Sequence, residues 1–211
     1  MSLKKSISRI FSANVIQLIT GLIVGFWVPN IMSISGYASI KTYTLLVSYI
    51  GFLHFGFIDG LYIKYGGTKE DCINLEELKG EYYFLLVFQT IITVIFIIIS
   101  IISKSIILCL FGFTILPLMI SSFYKYYFQA VGNFKNYSII MYLYSISYLL
   151  LNIILIFIIK SDNFIFYSLC TVISYFISGF VFHISFMKKI NKIKPIYNKN
   201  NFNKIIKNRL F

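Results

Sequence analysis

The chain has 211 residues, of which 58% are hydrophobic, 19% aromatic and only 12% charged, and its formal net charge is +12. A soluble domain carries roughly 25% charged residues, and 22 Phe with 17 Tyr supply more apolar surface than one compact interior can hide, so a water-soluble globular fold is excluded. The basic residues fall between and after apolar blocks rather than along one polar face, which speaks against nucleic acid as a partner.

Taken in order, the apolar blocks predict six membrane-spanning helices, at about 11–33, 38–63, 82–102, 105–125, 138–159 and 164–187. Crossing a hydrocarbon core of about 30 Å takes about 20 residues of helix. Open sheets cannot face lipid with unpaired backbone groups, so the expected fold is an all-α membrane protein. The first block follows Lys4, Lys5 and Arg9 and resembles a signal peptide. It is too long for one and lacks a small-x-small cleavage site, so it is expected to stay as the first span. The second contains GFLHFGFIDGLYIKYGG (51–67), with His54 and Asp59 in an apolar run. Residues 82–102 and 105–124 hold no charge at all. The lobe is expected to cover 1–187 and a basic segment 188–211. In that segment Phe202, Ile205, Ile206 and Leu210 share one helical face opposite Lys204, Lys207 and Arg209. This fits a helix lying on the inner leaflet, or equally a frayed basic tail.

Lys and Arg set the orientation. The first tail, the 64–81 loop, the 125–137 turn and the last segment hold 16 of them, against Lys41, Lys104 and Lys160 on the other side. Both termini are therefore expected in the cytoplasm. The outer connections are so short that consecutive spans should form tight hairpins. Cys72, Cys109 and Cys170 show no metal-ligand spacing. No Ser-His-Asp set, metal cluster or phosphate-cradling loop is present, so the chain is expected not to be an enzyme and to use no cofactor.

Asp59 lies one or two turns before the end of its span, about 7 Å from Lys64 at about 1.5 Å per residue. A carboxylate in lipid costs about 3 kcal/mol at mid-bilayer and less near the interface. It is expected to face the interior near Asn14 or Gln17 of span one, either pinning spans one and two together or acting as an ion-responsive group. His54 reads as a helix-contact residue or a proton relay. Gly21-xxx-Gly25 and Gly56-xxx-Gly60 offer grooves for close helix approach. Pro29 and Pro117 fall inside spans one and four.

Several pieces together resemble the polysaccharide repeat-unit flippases, the O-antigen and capsule branch of the multidrug/oligosaccharidyl-lipid/polysaccharide exporter superfamily. They are Asn14, Pro29 and Gly36-Tyr37; the stretch Gly56-Phe-Ile-Asp59-Gly60-Leu-Tyr62-Ile-Lys64-Tyr-Gly66-Gly67; and Phe128-Gln129-Ala130-Val131-Gly132-Asn133-Phe134-Lys135, similar to a recurring "QAxGxFK" turn. The resemblance implies that the six helices equal the N-terminal lobe of a 12–14-helix exporter. The basic segment then leads toward a missing second lobe, and the sequence is a fragment or a half-transporter that pairs with another copy. It also implies the substrate, an undecaprenyl-pyrophosphate-linked oligosaccharide moved across the bacterial inner membrane in lipopolysaccharide or capsule biosynthesis. Asn14, Gln17, Lys41, His54, Asp59, Lys64, Lys125 and Gln129 are the candidate cavity residues. With only Arg9 and Arg209 present, Lys41, Lys64 and Lys125 must supply positive charge for the pyrophosphate. Tyr142, Tyr144 and Tyr148 could stack on sugars or simply pack. The competing expectations are a membrane scaffold that transports nothing and an exporter of smaller solutes.

Overall fold

The computed structural model describes residues 3–191 and 193–195, so the predicted interfacial helix after residue 200 lies outside the described residues. The described chain is all-α: α1 (Leu3–Ile31), α2 (Ile34–Tyr49), α3 (Phe57–Tyr65), α4 (Leu75–Ile102), α5 (Ile106–Ala130), α6 (Phe134–Ile153) and α7 (Phe164–Ile190). Five helical runs are long and apolar enough to cross a membrane, and the 34–54 and 57–65 segments, bent by 58°, pass the same test together, as a broken span or a re-entrant loop. The protein is a multi-pass membrane protein. Its Ile- and Val-rich helices would be poor in water, where β-branching lowers helix propensity. In lipid the backbone has no partner other than itself.

Polar residues punctuate these helices. Ser33, Asn74, Ser105, Asn133 and Asn163 each cap a helix by accepting from its first backbone N–H groups; such caps hold donors that otherwise lack a partner. Asn74 starts α4 seven residues before the apolar block at 82. The α5–α6 turn needs Gly132, at φ +71°, in the left-handed region that glycine enters without strain.

The second span departs from the continuous helix expected over 38–63. After Tyr49 the chain tightens into a 3-10 segment, Ile50–His54. Phe55 and Gly56 then both take positive φ, 47° and 75°. Breaking a helix inside a membrane frees backbone carbonyls, and the buried Gln89 of α4 answers one, its Nε2 donating to Leu53 O at 3.2 Å. The fifth span ends in a wider π-helical turn, Ile154–Ile159.

α5 is the central helix, packed against α2, α3, α4, α6 and α7. α1 packs along α6 and hardly touches α2 beyond their connecting turn. The expected hairpin of spans one and two is thus splayed. One buried cluster centres on Tyr82, Phe123, Tyr124 and Leu61. A smaller one joins Val24 and Val28 of α1 to Leu155 and Tyr167 at the other end. Side-chain hydrogen bonds cross between helices: Ser12–Tyr142 at 2.6 Å, Tyr43–Thr114 at 2.8 Å, Ser121–Ser178 at 2.9 Å and Tyr82–His183 at 2.5 Å. Lipid offers no hydrophobic drive for helix association, so such bonds and close packing carry it.

Gly179 permits a close approach that the Gly21-xxx-Gly25 spacing did not suggest. A Cβ on Gly179 would lie 3.0 Å from Ile120 Cγ2 and 3.1 Å from the Ser121 amide, whereas Gly21 and Gly25 meet nothing within 4 Å. Gly179→Val should therefore lower the unfolding free energy by about 1–3 kcal/mol through overpacking, while Gly21→Ala should be neutral or slightly stabilising. Detergent-titrated unfolding checks both.

Candidate functional site

At one end of the bundle the loop after α3, the start of α4, the α5–α6 turn and the end of α7 come together. The Gly67 amide donates to Ala130 O. Asn133 Nδ2 donates to Glu70 at 2.8 Å, and Lys79 Nζ donates to Ile190 O and Ile193 O at 3.0 and 2.6 Å. Lys64 sits here between two carboxylates, 2.8 Å from Glu77 and 2.6 Å from Glu81. Tyr65 also donates to Glu81, which is buried. Both acids lie four residues apart on α4, so one helix face presents them together. Lys64 is therefore matched by negative charge within the protein, and this cluster ties helices rather than offering a cation to a ligand.

A larger concave feature lies elsewhere. Because α1 leans on α6 and α2 on α5, a groove opens between α1 and α2. Its two chambers, of about 330 and 430 Å³, share Gln17, Tyr43, Thr44, Tyr144, Tyr148 and Thr171. α6 and α7 form the floor. Tyr144 packs on Tyr175 with ring centroids 4.3 Å apart and stacks on Tyr148 at 5.8 Å. Ser145 and Asn152 add polar atoms, Ser145 Oγ and Asn152 Oδ1 being buried without a hydrogen-bond partner. The upper chamber reaches Lys41, whose ammonium lies 5.0 Å from the Tyr37 ring centre. The lower one reaches His54 and Lys125, the latter 5.4 Å from the Tyr126 ring centre. Among the described residues no carboxylate borders either chamber. Lys41 and Lys125 form no ion pair among the described residues.

Of the residues expected to line a cavity, Gln17, Lys41, His54 and Lys125 thus meet along this groove. Asn14 is exposed on α1, and Gln129 is half-buried near the end of α5; neither borders the groove. Asp59 is half-buried on α3, within electrostatic reach of Tyr126, which itself borders the lower chamber. No hydrogen bond joins Asp59 to Asn14 or Gln17 among the described residues. Tyr142 turns to Ser12 instead of the groove. Sequence reasoning missed Tyr37, Tyr43, Tyr167, Thr171 and Tyr175. A signal existed: Tyr37, Lys41, Thr44 and Ser48 on α2, and Tyr167, Thr171 and Tyr175 on α7, recur at helical spacing within apolar runs.

The arrangement can seat an elongated amphiphile. Tyrosine rings supply flat faces and hydroxyls, two ammonium groups supply positive charge without a counter-ion among the described residues, and the gap between α1 and α2 lets an apolar tail stay in lipid. Comparison with family models, with curated proteins and with solved structures finds no match.

Proposed function

We propose that the protein helps move an undecaprenyl-pyrophosphate-linked oligosaccharide across the bacterial inner membrane, acting as one lobe of a polysaccharide repeat-unit flippase. The observation that carries this reading is the tyrosine-walled groove, open to lipid between α1 and α2, with Lys125 and Lys41 in no ion pair and no carboxylate beside them among the described residues. A cation held away from water is stable only with a partner, and a lipid pyrophosphate brings one. In this reading Lys125 holds the phosphates and Tyr144, Tyr148 and Tyr175 receive the sugars. A second lobe or a second copy closes the α1–α2 mouth, and the two rock about the site in alternating access. A scaffold that transports nothing would have no use for lysines lining such a groove without an ion pair among the described residues.

The reading is tested by native mass spectrometry of the purified chain with undecaprenyl pyrophosphate. The lipid should be retained, and Lys125→Gln should weaken retention at least about tenfold, since charge-assisted contacts to phosphate are the strong ones. Equal retention by the variant, or none by the native chain, overturns it.

The same reading places both termini in the cytoplasm, following the 16-to-3 distribution of Lys and Arg. Reporter fusions after Lys79 and Lys135 should report the cytoplasm, and those near Ser35 and Ser161 the periplasm. Inversion at any two sites rules the orientation out.

A further inference from the structure

A second cavity, of about 270 Å³, lies at the other face of α5, among the loop before α4, the start of α6 and the end of α7. It shares no lining residue with the groove, because α5 turns Lys125 and Tyr126 one way and Tyr124, Tyr127 and Phe128 the other. Its walls are aromatic. Phe128 lies 5.3 Å from both Tyr127 and Phe182, and Tyr124 lies 5.7 Å from Phe186, centre to centre. Among the described residues, the one charged group on the wall is Glu70.

Glu70 is half-buried, and Asn133 fixes it through a 2.8 Å hydrogen bond to one carboxylate oxygen. It forms no ion pair among the described residues. This end of the bundle is rich in Lys, yet among the described residues no Lys or Arg borders the cavity. The contrast with Glu77 and Glu81 is informative, since both of those are matched by Lys64.

We propose that this cavity binds a small organic cation, a protonated amine or quaternary ammonium, with Glu70 as counter-ion and the rings of Tyr127, Phe128 and Phe182 as its apolar, π-rich walls. Aromatic faces attract ammonium groups through their quadrupoles, and more strongly once water is excluded. An anion would be repelled by Glu70, and a neutral apolar ligand would strip water from that carboxylate without replacing it. The volume falls at the low end of ligand pockets, which run from about 300 to 1,000 Å³, so a head-group-sized cation fits and a large drug does not. Such a cation can arrive as the head group of an ethanolamine phospholipid or as a free amine. The proposal does not rest on the transport reading.

The test uses the full chain in nanodiscs of phosphatidylglycerol alone. One arm titrates tetramethylammonium and ethanolamine and reads binding by saturation-transfer NMR. The other adds phosphatidylethanolamine and reads its retention by native mass spectrometry. Binding in at least one arm is expected, weakened at least about tenfold in Glu70→Gln, whose amide still accepts from Asn133. Phe182→Leu should weaken it too, with melting curves confirming the fold, while Lys125→Gln in the separate groove should leave it unchanged. Retention of the phospholipid alone identifies a head-group site, and binding of the free amines identifies a soluble ligand. Absence of binding in both arms, or binding that survives Glu70→Gln, overturns the proposal.

Discussion

Lys64→Ala is expected to lower the unfolding free energy by about 3 kcal/mol, because truncating one partner of a buried pair strands the other charge. Glu81 is 3% exposed, and Lys64 is the cation within 4 Å of it. Tyr65 would remain as a donor, but one neutral hydroxyl does not replace an ammonium group shared with Glu77. Lys64 itself is about a quarter exposed, so water offsets part of the loss and keeps the effect below the largest seen for buried pairs. Lys69→Ala, an exposed lysine without an ion pair among the described residues, should stay within about 0.5 kcal/mol. Adding Glu81→Gln to Lys64→Ala removes the stranded charge and should recover most of the stability. Unfolding in mixed micelles measures all three. A Lys64→Ala protein as stable as the native one would mean that water already reaches Glu81.

The lysine also marks where sequence reasoning reaches its limit. Its acidic partners stand 13 and 17 residues further on, across a loop, so in sequence it reads as one more basic residue at a span end. The hint was the i, i+4 pair Glu77 and Glu81, which needs a nearby cation to be tolerated at a helix start that otherwise turns apolar. The helices themselves were legible, because uncharged blocks of about 20 residues leave the chain one way to satisfy its backbone in lipid. Which helix lies beside which was not. The short α1–α2 turn suggested a tight pair, yet the apolar faces of α1 fit α6, and chain adjacency does not decide packing. The break at Phe55–Gly56 was hidden for a related reason. Gly56 and Gly60 read as a packing groove, and nothing local announces that Gln89, a helix away, stabilises an opened turn. The groove was half legible: Gln17, Lys41, His54 and Lys125 stood out as polar groups in apolar runs, and Tyr144 and Tyr148 as rings that could meet a sugar, whereas Tyr37, Tyr43, Tyr167 and Tyr175 were lost among the 17 tyrosines in the chain.

As a monomer in proteoliposomes, this chain is expected to translocate lipid-linked oligosaccharide no faster than empty liposomes do. The groove has walls on α1 and α2 and a floor on α6 and α7, but its mouth faces the acyl chains. Gln17, Lys41, Thr44, Gly21 and Gly25 are all exposed there. A polar glycan crossing such an open trough would meet hydrocarbon along one whole side. An ammonium group bared to lipid already costs about 3 kcal/mol on insertion scales, and each unmatched sugar hydroxyl adds to the barrier. A second wall removes that cost by covering the mouth, and Gly21 and Gly25, with nothing within 4 Å, leave room for it to come close. A photo-crosslinker at Thr44 should therefore capture whichever wall covers α2, a second copy or a separate lobe, and translocation should appear only in preparations where that crosslink forms. Quenching of a fluorescent lipid-linked sugar reads the rate. Rapid translocation by a chain that remains monomeric would show that six helices can seal the path by themselves, and the two-walled mechanism would have to be abandoned.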